Sequence, residues 1–404
     1  MSKPRVKLTT RGRGMVGSGV TLSAAAMILR VSELYVVAFA ALVLPLVLVW
    51  RARLLARRIE LEADLVSVPR RPEVGRGLAI RITLRAHTRV TAPLIVGVDA
   101  PFAAGKTSTL VTSLIRGTST VIDLRAIAVR RGRADLGPVR IRLPDGLGVV
   151  DASWHVGASR EVLVLPSFSP IRELPTLPAE ESGGGAKRST QRGTEFHSLR
   201  GYQKGDDLRQ VHWRASAKHD SLMIRDNEPL SLPRITVILD DRDTAHLNND
   251  TLEWAVSAAA SVISGAGSHG FGVRLVTSDG RPGKVRYGRA ATDQLIERLA
   301  VVSRSGARDL DAGVAAAATT GRGGAMVAIL TPRLNPTALS GLLGLGKRQG
   351  WAAAIIVDDG DAATADTIGG RLIAAGWKVV RVRPGRHGIE AAWKTLLERT
   401  RVRA

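Results

Sequence analysis

The pattern of hydrophobic and polar residues changes twice along the chain. Two long apolar runs, Met15–Leu29 and Leu34–Trp50, dominate residues 1–58. Over residues 59–166 the apolar residues fall in short runs that alternate with polar ones. Beyond residue 233, continuous apolar runs of strand length alternate with longer amphipathic stretches. Period and run length distinguish membrane helices, half-buried strands and buried strands. The pattern therefore predicts a helical hairpin, a β domain and an α/β domain, in that order.

The first part is predicted to be a membrane hairpin. A span needs roughly 20 apolar residues, with about 17 as the lower limit, which the second run meets and the first reaches only with its flanks. Both outer flanks are basic, whereas the loop at residues 30–33 has no net charge. Positive flanks tend to stay cytoplasmic, so we expect two spans in the cell membrane and cytoplasmic soluble domains. A cleaved signal peptide and a single span are the alternatives.

Residues 59–166 are predicted to form an immunoglobulin-like β-sandwich, because several short strands are separated by turn residues. The predicted strands are Leu78–Arg85, Leu94–Val98, Thr120–Val129, Val139–Leu143 and Val162–Leu165. Within this part, Ala100–Thr107 approximates a phosphate-binding loop. Such a loop needs a buried strand before it and a helix after it, whereas strand-like patterns flank it here. We therefore expect a connection between two strands.

Residues 234–404 are predicted to form a doubly wound α/β domain, in which strand–helix alternation gives a mostly parallel sheet. The predicted strands are Ile235–Leu239, Gly272–Val276, Ala325–Leu330, Ala352–Val357 and Lys378–Val382. The predicted helices are Thr251–Ser264, Thr292–Val302, Asp311–Thr319, Pro336–Arg348, Ala362–Ala375 and Gly388–Arg399. Ligands of such sheets bind beyond the carboxyl ends of the strands.

Composition narrows the classes of partner. The chain of 404 residues has room for two or three domains, and its 45% of hydrophobic residues can bury a core. It has no cysteine, which excludes disulfides and thiolate metal sites. The net charge of +22 suits an acidic partner or an anionic membrane surface. Nucleic acid is not expected as a partner, because only 4% of the residues are aromatic and base stacking needs such rings.

A flexible linker is predicted over residues 167–192, which are rich in Pro, Ser and Gly. The segment that follows, residues 193–233, interleaves acids, arginines and aromatic residues without a regular period. Arg–carboxylate pairs can fix such a segment against a neighbouring domain, and they can also form a binding site. His197, His212 and His219 match no zinc-ligand spacing, and no nucleophile-elbow motif surrounds Ser198 or Ser216.

The same segment resembles the signature of domain-of-unknown-function family number 58. The residues that carry the resemblance, and that are candidates for binding a partner, are Gly193, Glu195, Phe196, Leu199, Arg200, Tyr202, Gly205, Asp206, Arg209, Trp213, Arg225 and Glu228. The resemblance extends to the basic hairpin and the β domain. It implies a C-terminal domain like von Willebrand factor A and a MoxR-type AAA+ ATPase as partner.

In von Willebrand A domains, a D-x-S-x-S loop after the first strand binds a divalent cation. This chain keeps Asp240, but Arg242 and Thr244 stand at the two serine positions, and Arg308 stands at a later threonine position. Arginine brings a fixed positive charge to the place of a cation. We therefore expect a degenerate site without metal or other cofactor, in which Arg242 or Arg308 pairs with Asp240.

These observations predict a membrane-anchored, non-enzymatic scaffold or adaptor that works with a MoxR-type ATPase in protein assembly or maturation. Two alternatives stay open. One is a hydrolytic or nucleotide-binding enzyme that uses the polar segment 195–228. The other is a metal-dependent adhesion module outside the cell.

Overall fold

The protein folds into two units in the computed structural model. It describes residues 3–169, 171–175, 177, 198–201, 211, 213–219, 221–226, 233–281, 283–319, 324–358 and 360–401. The first unit, named the β unit here, comprises Met1–Phe168 with Gln294–Ser303. The second, the α/β unit, comprises Ser169–Asp293 with Arg304–Ala404. Most of the predicted linker and of the predicted signature segment lies outside the described residues.

The β unit begins with a short strand and two helices, β1 (Arg5–Leu8), α1 (Thr10–Leu29) and α2 (Ser32–Arg58). The hydroxyl of Thr9 accepts a hydrogen bond from the Gly12 amide, which caps the first turn of α1. By length and composition, α2 is the helix in the described residues that could span a membrane. The 20 residues of α1 are diluted by glycine and polar residues, so the second predicted span is not shown.

The two helices pack closely and antiparallel through small residues. Gly19 of α1 faces Leu42 of α2, and a Cβ atom at Gly19 would lie 2.8 Å from Leu42 Cγ. Ala26 and Ala38 are also buried in this hairpin. Small residues allow two backbones to approach each other, as in many membrane helix pairs. The predicted hairpin geometry is therefore present, and α2 extends eight residues beyond the predicted run, from Arg51 to Arg58.

Ten further strands of the β unit follow α2 in the sequence. They are β2 (Leu61–Val68), β3 (Gly77–Ala86), β4 (Leu94–Val98), β5 (Ala103–Gly105), β6 (Ser108–Val111), β7 (Ser119–Ala128), β8 (Gly132–Leu136), β9 (Val139–Pro144), β10 (Val150–Val156) and β11 (Arg160–Val164). All five predicted strands are confirmed to within two residues at either end. A strand, β6, follows the phosphate-loop-like segment where a nucleotide site would need a helix.

The strands of the β unit form antiparallel sheets around one apolar core. One sheet has the order β1-β10-β9-β4-β6, a second has the order β2-β3-β7-β5, and β11 pairs with β8. Alternate residues of β3 (Ile80, Ile82 and Leu84) point into the same buried cluster as Ile141 and Trp154 of the other sheet. This alternation is the pattern of strands that are covered on one face.

The strand β1, which the sequence analysis did not predict, joins the first of these sheets. It pairs antiparallel with β10, with Leu8 opposite Val150 and Arg5 opposite Ser153. The Thr9 amide then donates to the carbonyl of Val149, 3.0 Å away. The chain before α1 and the chain after α2 are therefore parts of the same sheet.

The strands and helices after β11 belong to the α/β unit, except for the part of α5 (Arg289–Ala300) from Gln294 onward, which belongs to the β unit. They are β12 (Ser198–Gly201), α3 (Trp213–His219), β13 (Met223–Asp226), β14 (Arg234–Leu239), α4 (Asn249–Ser268), β15 (Gly272–Thr277), α5 (Arg289–Ala300), α6 (Asp311–Ala318), β16 (Ala325–Leu330), α7 (Pro336–Gly346), β17 (Trp351–Val357), α8 (Ala362–Ala374), β18 (Lys378–Val382) and α9 (Ile389–Arg401). The predicted strands and helices of residues 234–404 are all confirmed.

The largest difference in length is in α4, which continues four residues beyond its predicted end at Ser264. Gly265 and Gly267 suggested an end, because glycine disfavours a helix interior. Both glycines make close contacts instead. A Cβ atom would lie 2.8 Å from Ile171 Cβ at Gly265 and 2.2 Å from Thr292 Oγ1 at Gly267.

Five buried strands form a parallel sheet with the order β15-β14-β16-β17-β18. The connection from β14 to β15 crosses the sheet in one direction, and the connections from β15 through β16 and β17 to β18 cross it in the opposite direction. The order therefore reverses between β14 and β16. Ligands of doubly wound sheets bind in the crevice beyond the carboxyl ends of the strands at such a reversal.

Candidate functional site

The candidate site is the crevice where β14 and β16 end. Asp240, Asp241 and Arg242 follow β14, and Thr331 follows β16. Two strands end here side by side because Ile238 and Leu239 pair with Ala328 and Ile329. Asp240 is 0% exposed and Arg242 is 3% exposed. The site therefore contains an acid and a base that are both shielded from water.

Arg242 and Asp240 form a bidentate ion pair. The Arg242 Nε atom lies 2.8 Å from Asp240 Oδ1, and Nη2 lies 2.8 Å from Oδ2. Nη2 also donates to the carbonyl of Arg333 at 2.9 Å. The hydroxyl of Thr331 donates to Asp240 Oδ2 at 3.0 Å. Both carboxylate oxygens are thus held by protein donors, which a buried charge requires.

The charges around the guanidinium stabilise its protonated form. Burial lowers the pKa of Arg242, but the hydrogen bonds and charge of Asp240, with the charges of Asp309 and Asp311, outweigh that effect and raise the pKa above its ordinary value. Arg242 is therefore a permanent cation at this position. Its charge neutralises the buried carboxylate of Asp240.

Asp241 faces a different partner. Its Oδ1 atom accepts a hydrogen bond from the Ser278 hydroxyl at 2.5 Å and from the Ser278 amide at 3.0 Å. Burial raises the pKa of Asp241, and the two hydrogen bonds from Ser278 oppose this shift without cancelling it. The carboxylate ties the loop after β14 to the end of β15.

His246 completes the loop, although the sequence analysis did not select it. Its Nε2 atom lies 2.8 Å from the Asp240 carbonyl, which can only accept, so Nε2 carries a proton and donates. Its Nδ1 atom lies 2.9 Å from the Thr251 hydroxyl in the first turn of α4. The side chain is 2% exposed. A single histidine six residues after Asp240 gives no sequence signal for this role.

The sequence offered Arg242 and Arg308 as alternative partners of Asp240, and the structure contains the pair with Arg242. Arg242 pairs with Asp240, whereas Arg308 has an exposed side chain. Thr244, in a short 3₁₀ turn at Asp243–Ala245, is exposed as well. The residues present do not fit a divalent cation, because Arg242 and Thr331 take both oxygens of the one buried carboxylate that would bind it. In the part of the chain that the structure describes, no three acidic or histidine side chains cluster as metal ligands.

The structure brings together part of the predicted signature. Leu199 pairs with Arg225 in the antiparallel strands β12 and β13, in which Arg200 also lies. Trp213 starts α3 and is 69% exposed, and the Ser216 hydroxyl accepts a hydrogen bond from the Met223 amide at 2.8 Å. The other candidates lie outside the described residues, namely Gly193, Glu195, Phe196, Tyr202, Gly205, Asp206, Arg209, Glu228 and the histidines His197 and His212.

Comparison with known protein families supports the resemblance in one region. The family model described as "Protein of unknown function DUF58" matches residues 198–367. This range contains β12, the crevice with its ion pair, and the sheet as far as α8. The predicted family resemblance is thus confirmed for this part of the chain.

Two further likenesses give no function. The uncharacterized protein YeaD of Bacillus subtilis (strain 168) is 24% identical over 161 residues, which are 39% of this chain and 39% of YeaD. The chain thus matches well under half the length of that relative. One solved structure is that of Pseudomonas fluorescens alkylpurine DNA glycosylase AlkC bound to DNA containing an abasic site analog. The match covers 33% of this chain and 38% of the AlkC chain. At 14% identity and a TM-score of 0.18, it does not relate the two folds.

Proposed function

We propose that the protein is a membrane-anchored, non-enzymatic adaptor that works with a MoxR-type AAA+ ATPase in protein assembly or maturation. Its α/β unit is a von Willebrand factor A-like domain in which an internal ion pair replaces the cation. The ATPase enters this proposal through the family resemblance of the signature segment. The match over residues 198–367 supports that resemblance.

The observation that carries the proposal is the bidentate pair of Arg242 and Asp240. Doubly wound sheets hold their ligands in the crevice that this pair occupies. Here the acid is neutralised by a neighbour on its own loop, with both oxygens within 2.8 Å of a guanidinium nitrogen. A general acid or base needs a proton that can leave and return near neutral pH. A permanent guanidinium bound to a carboxylate supplies neither role.

The sheet topologies support the domain assignments. In the α/β unit, Asp240 follows the first strand of the doubly wound sheet, and an antiparallel bridge joins Val273 to Arg286 at its edge. In the β unit, two antiparallel sheets share one core, which supports an immunoglobulin-like sandwich.

The pairing of β1 with β10 supports two spans and argues against one. If α2 alone crossed the bilayer, the chain before α1 would have to reach the far side of the membrane from β10. Leu8 and Val150 are instead opposite each other in one ladder. Both ends of the hairpin therefore lie with the β unit, and the basic flanks favour the cytoplasmic side for it.

Co-purification from native membranes tests the partner. The full-length chain is isolated in mild detergent, and the proteins that come with it are identified. We expect a MoxR-type ATPase, and we expect less of it with Trp213→Ala, which removes the exposed ring at the start of α3. Tyr287→Ala, which removes another exposed ring outside the signature, is the matched control. Equal recovery with both variants, or no ATPase with the wild type, would contradict the adaptor proposal.

Cation binding separates the adaptor from the adhesion module. We expect the purified chain to bind Mn²⁺ no more tightly than about 1 mM, which is the weak end of the range for extracellular cation sites. Tighter binding by the wild type, together with cleavage of the α/β unit by protease added to intact cells, would favour the adhesion module.

A further inference from the structure

Four exposed arginines surround the open end of the helical hairpin. Arg11 and Arg13 lie in the first turn of α1, and Arg51 and Arg53 lie near the end of α2. We name these four residues the basic collar. In the sequence from residue 3 to residue 59, Glu33 is the one acid, and it lies at the opposite end of the hairpin. The charge of the collar is therefore not balanced by its own segment.

The packing of the helices puts the four arginines at one level. Gly19 faces Leu42 in the antiparallel pair. Eight residues from each toward the open end (19 − 8 and 42 + 8) lead to Arg11 and Trp50, which are therefore level with each other. Arg13 lies half a turn from Arg11 at 3.6 residues per turn, and Arg51 and Arg53 follow Trp50 within one turn.

The collar lies close to a change of environment along the hairpin. Just on the loop side of the collar, Met15, Leu48 and Val49 still pack against the core of the β unit. Beyond this level toward the loop, the hairpin exposes large apolar side chains, such as Met27, Ile28, Val36 and Phe39. Charged residues at the end of such an apolar surface are typical of a membrane–water boundary.

No described residue forms an ion pair or a side-chain hydrogen bond with these four arginines. Exposed apolar side chains accompany them instead. Trp50 is 65% exposed, and Leu147, in the turn between β9 and β10, is 57% exposed. Leu147 precedes Gly148, and a Cβ atom at Gly148 would lie 3.6 Å from Arg11 Nη1. Arg11 thus lies beside the turn that carries the exposed Leu147, and Trp50 is exposed at the same level of the hairpin.

We propose that the basic collar binds the phosphates of anionic phospholipid headgroups and so holds the β unit against the bilayer. Guanidinium groups bind phosphate through paired hydrogen bonds. The neighbouring Trp50 and Leu147 favour a lipid over free phosphate, because they offer the bilayer an apolar contact that inorganic phosphate cannot use. This inference rests on the membrane anchoring in the proposed function and names the ligand of the anchor.

Trp50 provides a reporter for the test. The full-length chain is reconstituted in bilayers of phosphatidylcholine and phosphatidylglycerol, one of which is brominated on its acyl chains and therefore quenches tryptophan fluorescence. The same measurement with Trp50→Phe identifies the signal of Trp50. We expect brominated phosphatidylglycerol to quench Trp50 with a several-fold higher relative association constant than brominated phosphatidylcholine. Each basic residue near an anionic surface contributes about five-fold to binding.

Charge-neutralising variants assign the preference to the collar. Arg11→Gln with Arg53→Gln should bring the relative association constants of the two lipids much closer to each other, since it removes two of the four charges that attract the anionic lipid. Arg348→Gln with Arg371→Gln removes the same charge from exposed positions of the α/β unit and should leave the preference unchanged. Equal quenching by the two lipids in the wild type, or an equal effect of both double variants, would overturn the inference.

Two further measurements separate a failure of the membrane anchoring from a failure of the basic collar. The first is a carbonate wash of native membranes, which tests the anchoring itself. A chain that is released by the wash contradicts the membrane anchoring, whereas a retained chain without lipid preference contradicts only the collar. Inorganic phosphate is also compared with sodium chloride at equal ionic strength. Equal weakening supports a lipid surface, and a stronger effect of phosphate would show a site for free phosphate instead.

Discussion

At the scale of single residues, the loop after β14 contains a buried ion pair, Arg242 with Asp240. Removing one member of a buried pair destabilises a protein more than removing both. Burial removes both charges from water, which costs several kcal/mol for each ion. The attraction between the two charges offsets this cost only while both are present and fully hydrogen-bonded. Asp240 meets this condition through Arg242 and Thr331. The neighbouring pair of Arg304 and Asp243, at 3.0 Å, is different because Asp243 is 62% exposed.

The first prediction compares these two pairs. Arg242→Met keeps much of the side-chain volume but leaves the Asp240 carboxylate buried with one remaining side-chain donor. We expect it to lower the free energy of unfolding of the α/β unit by about 3–5 kcal/mol. Arg304→Met is the matched control and should cost less than about 1 kcal/mol, because water screens the exposed pair.

Urea titration of the full-length chain in detergent measures both values. Replacing both charges of the buried pair, with Asp240→Leu and Arg242→Met, should recover most of the loss, since no unpaired charge then remains. Equal losses for Arg242→Met and Arg304→Met would show that the pair does not hold the loop.

The second prediction concerns the pH dependence that Asp241 introduces. Because burial raises its pKa above the ordinary 3.8, the folded chain keeps this proton to a higher pH than the unfolded chain does. The resulting stabilisation is fully present below about pH 4 and is lost as the pH rises through the folded-state pKa. Asp241→Asn cannot ionise, yet its amide oxygen can still accept from Ser278.

We therefore expect Asp241→Asn to gain stability relative to the wild type as the pH rises from about 4 to about 7. Urea titrations at the two pH values measure the difference. A difference between the two proteins that does not change with pH would contradict the assigned cause.

Residue identities alone allowed part of this site to be predicted. Because the charge of Arg242 is fixed, its position suggested that it takes the place of a bound cation and pairs with Asp240. The structure contains this pair. Arg308 offered the same charge but is exposed, and the sequence does not reveal which of two arginines turns inward. The roles of Ser278 and His246 depend on the packing of neighbouring elements and leave no local pattern.

At the scale of elements, the close approach of α1 and α2 requires a glycine at position 19. Gly19 allows the two backbones to approach, and any Cβ there would lie 2.8–2.9 Å from side-chain atoms of Leu42 and 3.3 Å from the Ala38 carbonyl. Gly17, on the same helix, has no atom within 4 Å of such a Cβ.

This contrast gives the third prediction. Gly19→Leu should separate the helices and make the hairpin unfold at a lower mole fraction of sodium dodecyl sulfate in mixed micelles, followed by circular dichroism. Gly17→Leu adds the same side chain in open space and should leave the midpoint unchanged. A common shift of both midpoints would point to helix propensity instead of packing as the cause.

Elements with strong local patterns could be predicted well, and those fixed by distant contacts could not. The buried strands of the α/β unit were located to within one residue because their apolar runs are continuous and are followed by turns. The end of α4 was placed too early, because the contacts of Gly265 with Ile171 are not visible in the helix sequence. β1 was missed because its four residues alternate weakly and its partner strand lies far along the chain.

At the scale of the whole molecule, the chain order of hairpin, β part and α/β part follows from the hydrophobic pattern alone. The proposal of two spans depends on the pairing of β1 with β10, which the pattern did not show. Because the chain has no cysteine, single introduced cysteines can test this arrangement without a background signal.

The fourth prediction uses cysteines at Lys3, Ser32 and Arg348 in otherwise wild-type chains. With two spans and cytoplasmic units, a membrane-impermeant maleimide should label Ser32→Cys on intact cells, because that residue begins α2 next to the turn between the helices. Lys3→Cys and Arg348→Cys should react only after the membrane is permeabilised. Labelling of Arg348→Cys on intact cells would reverse the topology, and opposite results for Lys3 and Arg348 would indicate one span.

The pairing of β1 with β10 also affects how the chain folds while it is being made. The Thr9 hydroxyl and the Gly148 carbonyl that it contacts are 139 residues apart in the sequence. Domains usually fold as units during synthesis, and the earliest residues leave the ribosome first. Here the earliest strand has no partner until β10 has emerged, and by then α1 and α2 have long left the ribosome. The first strand to be made therefore joins its sheet only after most of its own domain has been synthesised.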